Sequence, residues 1–250
     1  EAYKDYNLPK QIEGIQRTVD SVLQVEGWEG FHYSLQHEEL AMTHEELGVL
    51  PVSMLSDGVR AMVSLVADMA WRCAKLNPQL GEKAQTETEG VAFIDEVDMH
   101  LHPKWQQTVI SSLRKAFPKI QIIVTTHSPQ VLSTVDAESI RVIQSEFDRD
   151  TDETKSEAVT PSTQSRGVAS HEVMAELQGI DPVPRVEEAG WLQEYKTLLA
   201  KPALTPEQQE RMDFLRDKIL EHFGEHHSEW QECERLKRLR DMKKKLNTSK

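Results

Sequence analysis

The 250 residues, with 29 basic against 42 acidic side chains and a net charge of −13, form a chain long enough to bury a sizeable core. That charge argues against a protein that coats nucleic acid over its whole surface, and no apolar run reaches the 18–20 residues that span a bilayer. Two cysteines, Cys73 and Cys233, exclude a disulfide scaffold and fit a reducing, cytoplasmic setting. The start at Glu1-Ala2-Tyr3-Lys4 shows no signal peptide and reads as a piece of a longer chain.

In chain order, Ile12, Ile15, Val19, Val22 and Leu23 recur at helical spacing, predicting a helix over residues 10–25. Phe31 to Leu35 alternates apolar and polar as a half-buried strand does. Ser56 can cap a long helix whose inner face carries Val59, Met62, Val63, Val66, Met69 and Ala70. A polar connector follows over residues 77–89. The apolar run from Gly90 to Ile94 lacks alternation, which predicts a strand of a parallel sheet buried on both faces. Pro103 opens a helix with Trp105, Val109, Ile110 and Leu113 inward, and Pro118 stops it. Residues 120–126 form a second β-branched strand, and residues 139–143 a third. Strand, helix and strand within about 35 residues make a right-handed βαβ unit.

Residues 146–166 are polar and predict an acidic linker, with Glu146, Asp148, Asp150, Asp152 and Glu153 solvated rather than metal-binding. The pattern from 167 to 250 is helical. Thr205-Pro206-Glu207-Gln208 is a capping box with Pro at the first helical position. Trp230, Cys233, Leu236, Leu239 and Met242 recur every third residue on the last helix. That helix ends with eight basic residues against two acidic ones between Glu234 and Lys250, a candidate contact for DNA phosphates or an acidic partner.

Three clusters can carry chemistry. Asp95 and Glu96 end a buried strand, where ligands bind in open α/β sheets; one acid can hold hydrated Mg²⁺ while the other orients or deprotonates water. His127 ends the neighbouring strand and can reach the same edge, where a neutral imidazole can hydrogen-bond a phosphoryl oxygen. Leu55-Ser56-Asp57-Gly58 places a hydroxyl and free N–H groups at a helix N-terminus, which favours an anion, although an isolated Ser-Asp-Gly is more often an ordinary cap. His100-Leu101-His102 and His226-His227 near Cys233 lack a complete metal-ligand set and read as surface or loop residues.

In this order the strings LSDG, FIDEVDMHLHP and TTHSP resemble the C-terminal half of an ABC-type, AAA_21-like ATPase head of the SMC/RecF/OLD branch, nearest to Septu- and retron-associated defence ATPases. The resemblance covers roughly residues 50–145. It implies an α/β fold with a mostly parallel sheet and flanking helices, followed by an α-helical C-terminal region. The implied division is 1–145 as ATPase lobe, 146–166 as linker and 167–250 as helical region. It also implies ATP and Mg²⁺ as cofactors and two protomers that sandwich the nucleotide. Ser56 and Gly58 would then meet the γ-phosphate in trans, Asp95 would serve Mg²⁺, Glu96 the attacking water, and His127 the γ-phosphate, with Asp98 in the D-loop. Asp57 departs from the glycine of transporter signatures. The implied partners are a second copy, an HNH-type nuclease, and a retron reverse transcriptase with its RNA–DNA; no later segment resembles a Toprim nuclease. A RecF- or SMC-like repair ATPase and a nucleotide-degenerate scaffold are the alternatives. No G-x-x-x-x-G-K-[ST] occurs, since Gly81-Glu82-Lys83 lacks both the earlier glycine and the Ser/Thr, so the phosphate-cradling loop is expected upstream.

Overall fold

The structure is a computed structural model and describes residues 8–148 and 153–248; Asp150, Asp152 and Lys250 lie outside the described residues, as do the side chains of Glu146, Asp148, Glu153 and Lys243–Lys245. The chain divides into two units, one ending at Ile180 and one running from Asp181.

The first unit opens with helix α1 (Leu8–Leu23), whose Val19, Val22 and Leu23 are buried. It leads into an antiparallel meander of β1 (Trp28–Ser34), β2 (Glu39–His44) and β3 (Gly48–Pro51). Only the first of these strands was legible in the sequence, because β2 and β3 are short and joined by polar turns. Helix α2 (Asp57–Leu76) follows and buries the predicted stripe of Met62, Val63, Val66, Met69 and Ala70. A short turn, α3 (Ala84–Glu87), sits within the expected connector, and its buried Gln85 donates to the Ala70 carbonyl at 3.1 Å.

Strand β4 (Gly90–Ile94), helices α4 (Pro103–Gln106) and α5 (Val109–Ala116), and strand β5 (Ile120–Val124) complete the βαβ unit. The two strands pair in parallel, with Gly90 opposite Ile120 and Ile94 opposite Val124. Their inner face, Ala92, Ile94, Ile120, Ile122 and Val124, packs on a core that includes Val66, Trp105, Val109, Leu113 and Phe117. Each such buried aliphatic or aromatic side chain contributes about 1.5–3 kcal/mol. The outer face is bare: Val91 and Ile123 are exposed, and Phe93 is 78% exposed. The expectation of burial on both faces is therefore corrected. A continuous apolar run records that both faces are apolar, and it does not say whether this chain covers them.

After α6 (Pro129–Leu132), strands β6 (Val142–Asp148) and β7 (Glu153–Val159) form an antiparallel hairpin in a sheet of their own. This replaces both the third strand expected in the βαβ sheet and much of the linker expected over 146–166. The hairpin stayed hidden because polar residues interrupt its few apolar ones, among them Val142, Ile143 and Phe147; Ser145 and Ser156 hydroxyls meet across it at 2.9 Å. Parallel pairing among the described strands is confined to β4 and β5. Helix α7 (Ser170–Glu176) then folds back: Val173 and Leu177 form a small core with Ile140, against which Leu132, Val135 and Val142 pack. That core places the unit boundary at Ile180, later than the 166/167 division expected from polarity alone.

The second unit is helical, comprising α8 (Glu187–Ala200), α9 (Pro206–Phe223) and α10 (Ser228–Thr248). The capping box forms as the sequence requires, Thr205 accepting from the Gln208 N–H and Gln208 from that of Thr205. Tyr195, Leu198, Met212, Leu215, Ile219, Trp230 and Cys233 make its core. Leu239 and Met242 are exposed. A three-residue period lags the 3.6-residue turn, so nine residues after Trp230 the stripe has rotated roughly 180° away from the core. Among the described residues no helix is long and apolar enough to cross a membrane.

Candidate nucleotide site

Parallel register carries the chain out of β4 and β5 at one edge. Thr125 N–H donates to the Ile94 carbonyl at 3.0 Å, and Val97 N–H to the Thr125 carbonyl at 3.1 Å, so the pairing outlasts the strands. Asp95 and Glu96 follow β4 there, and Thr125, Thr126 and His127 follow β5. The Thr125 hydroxyl donates to Asp95 Oδ1 and accepts from the Glu96 N–H at 2.8 Å. One short side chain thus ties both acids to the neighbouring strand. Glu96 adopts φ +48°, a left-handed conformation that costs a non-glycine residue about 1–3 kcal/mol and persists where its surroundings impose it. Here those surroundings are the Thr125 bond and the turn closed by Met99 N–H on the Glu96 carbonyl at 2.9 Å.

A second threonine repeats the device. Thr126 donates to Asp98 Oδ1 and accepts from the Ser128 N–H at 3.0 Å. Gln106 on α4 closes the loop after the acids, donating to the Leu101 carbonyl at 2.9 Å while its own carbonyl accepts from Ser128 Oγ at 2.7 Å. Ser128 accepts from Gln130 and Val131 N–H groups and so caps α6. Among the described residues the Glu96 carboxylate and the His127 imidazole make no hydrogen bond or ion pair, and both residues are exposed. A rim of this kind keeps its backbone rigid and its reactive groups uncommitted.

The start of α2 meets the same loop. Ser56 caps the helix, its Oγ accepting from Val59 N–H at 3.5 Å, and Asp57 pairs with Arg60 at 2.6 Å. Gly58 is buried against the loop after the acids: a Cβ at this position would lie 2.5 Å from the His100 carbonyl oxygen. His100 itself takes φ +63°. With Asp57, Arg60, Ala61 and Ser64 it lines an open cleft. The lack of a side chain at Gly58 is therefore used in packing one loop on the other, a role the sequence did not suggest.

The donor set suits a hydrated magnesium ion held partly by nucleotide phosphates. Asp95 has one oxygen engaged by Thr125 and its second without a partner among the described residues, and Mg²⁺ typically takes one or two carboxylates and keeps several waters. No group of three His, Cys, Asp or Glu among the described residues forms a closed metal cage. His102 caps α4 through Nδ1, and His227 accepts from Glu229 N–H through Nδ1. Cys233 is buried, and burial pushes its thiol pKa up.

The sequence had singled out Ser56, Gly58, Asp95, Glu96, Asp98 and His127. The structure brings Asp95, Glu96, Asp98 and His127 to one rim, with Ser56 and Gly58 at the helix that leans on it. Thr125, Thr126 and Gln106 escaped notice, as did Gln178, whose side-chain amide donates to the His127 carbonyl at 2.8 Å. The adjacent threonines beside His127 were the available signal, since two hydroxyls at a strand end beside acidic residues offer short-range hydrogen bonds to them.

Comparison with known proteins puts this core in the class of AAA-type ATPases. The chain belongs to the AAA_21 family, described as an AAA domain, putative AbiEii toxin, Type IV TA system, which matches residues 6–133, just over half of its length. It is 48% identical over 89 residues to the retron Vc95 probable ATPase of Vibrio cholerae, covering 36% of this chain and 17% of that protein. Over 171 residues it is 30% identical to the Septu protein PtuA of Bacillus mycoides, covering 66% of this chain and 22% of the relative. The chain thus spans about a fifth of the length of these curated relatives. A solved chain from work on ATP-driven dimerisation and DNA-stimulated activation of SMC ATPases aligns at TM-score 0.44 and 15% identity, covering 62% of this chain and 89% of that one.

Proposed function

We propose that these residues are the distal part of an ATP-hydrolysing head in a prokaryotic anti-phage defence complex. Asp95 holds the magnesium ion that accompanies the nucleotide, and Glu96 orients and deprotonates the attacking water. His127 donates to the γ-phosphate. Ser56 and the first-turn N–H groups around Gly58 face the γ-phosphate bound by a second copy, since a helix N-terminus offers unpaired donors and a favourable dipole. The magnesium ion supplies charge neutralisation across the phosphates. Asp98 belongs to the loop that runs from the acid pair to α4 and packs on the start of α2, and links the two through Thr126 and the His100–Gly58 contact.

The observation that carries this reading is the shared rim, where Thr125 binds both acids to the strand that ends in His127. The phosphate-cradling loop is proposed to come from sequence beyond these residues, and the bare face of Val91, Phe93 and Ile123 is a surface for such a segment to cover. Kinship with retron and Septu proteins supports the defence setting. A regulated HNH-type nuclease and a retron reverse transcriptase rest on the resemblance of the motifs. The test is Glu96→Gln in the full-length protein. Loss of a general base lowers turnover by about 10²–10⁴-fold while nucleotide binding survives. Unchanged turnover overturns the role.

A further inference from the structure

We infer that Gln178 is a positioning residue for His127, and that the segment behind it governs how the imidazole is presented. This deepens the nucleotide reading above and rests on it. The segment lies after the residues matched by the family, 6–133. The Gln178 side-chain amide donates to the His127 carbonyl oxygen at 2.8 Å, across 51 residues. Because the imidazole has no partner of its own among the described residues, the peptide unit between His127 and Ser128 is what holds it. The N–H of that peptide, from Ser128, is bound by Thr126. Its carbonyl is bound by Gln178, which is the tether.

The tether is itself anchored. Ser165, fully buried, donates to the Val135 carbonyl at 2.6 Å, and Gly167 N–H donates to that of Ser133 at 2.9 Å. Gln164 accepts from Ala137 N–H at 3.0 Å, and Arg166 pairs with Asp136 at 3.2 Å. Val173 and Leu177 close a core with Ile140 over Leu132 and Val135. At the end of α7, Gly179 takes φ +64° and Ile180 N–H returns to the Met174 carbonyl at 3.0 Å, which sets the chain direction at Gln178. A polar residue placed this deliberately at a helix end, yet spending its amide on a distant carbonyl, does more than cap its own helix. The helix does not need that bond. The His127 loop does.

The experiment uses the full-length protein and compares Gln178→Glu, which keeps the size and loses the donor, with Gln178→Lys, which restores a donor. A net hydrogen bond of this kind corresponds to about three- to tenfold in rate. The expected result is a kcat lowered by about that factor in Gln178→Glu and Gln178→Ala, with KM for ATP unchanged and recovery in Gln178→Lys. In combination with His127→Ala, Gln178→Glu should add nothing further, because it acts only through the imidazole. Thermal unfolding of each variant separates this from collapse of α7, which Gln178→Lys would not repair. Wild-type kcat in Gln178→Glu, or losses that multiply with His127→Ala, overturns the inference alone. A His127→Ala variant that turns over ATP normally overturns the nucleotide role of His127, and this inference with it.

Discussion

In the unit that ends at Ile180, polar side chains reach across the chain to grip backbone and acids: Thr125 to Asp95, Thr126 to Asp98, Gln178 to His127. Exposed ion pairs occur in both units, but from Asp181 onward those such as Arg211 with Glu194 and Arg235 with Glu232 are joined, among the described residues, by no threonine-to-acid contact of that kind. Exposed pairs of this kind contribute only about 0–1 kcal/mol each, so the helical unit is held by its apolar core. The first unit accepts left-handed backbone at Glu96 and His100, whereas the described residues of the second have positive φ only at Gly224. One region is built to hold groups in awkward places. The other is built to pack.

Three experiments sharpen that contrast. Leu215 is fully buried among Tyr195, Met212 and Ile219, and Leu215→Ala should cost the helical unit about 2–5 kcal/mol, read by denaturant unfolding followed by circular dichroism. A loss below 1 kcal/mol would show that this core is not what holds the unit.

Next in size is a pH effect. Burial, with Glu234 and Cys233 adding, pushes the Tyr195 phenol up to about 12 from an ordinary value of 10.0. The folded state therefore keeps a proton that the unfolded chain releases, and stability is present below pH 10 and lost as pH rises towards 12. The expected loss is about 3 kcal/mol across that window, and Tyr195→Phe should abolish this part of it. An alkaline profile identical in Tyr195→Phe would refute the assignment.

The smallest effect compares two glycines. A Cβ at Gly58 meets the His100 carbonyl, so Gly58→Ala should cost about 1–3 kcal/mol in the first unit, as overpacking does. Nothing lies within 4 Å of a Cβ at Gly190 in α8, and Gly190→Ala should gain about 0.4–1 kcal/mol. Melting temperatures that move the same way in both variants would erase the distinction drawn between the units.

Much of the rim was legible in the sequence. Two apolar runs ending in Asp95-Glu96 and Thr125-Thr126-His127, separated by a helix bounded by Pro103 and Pro118, admit few arrangements other than a parallel pair with one shared edge. The hairpin of β6 and β7 was not legible, since its few apolar residues are interrupted by polar ones and form no run or alternation long enough to mark a strand. Gln178 was equally silent: a glutamine before a glycine looks like any helix end until its distant acceptor is seen.

Local spacing and turn chemistry in the chain were enough to set the long helices α1, α2 and α9, the direction of β4 and β5 and the edge at which acids and imidazole emerge, because each follows from side-chain period and backbone freedom within a few residues. Which face of β4 and β5 stays bare, which carbonyl fills the space above Gly58, and which amide holds His127 depend on residues far apart in sequence meeting in space. Those points belonged to the tertiary structure alone.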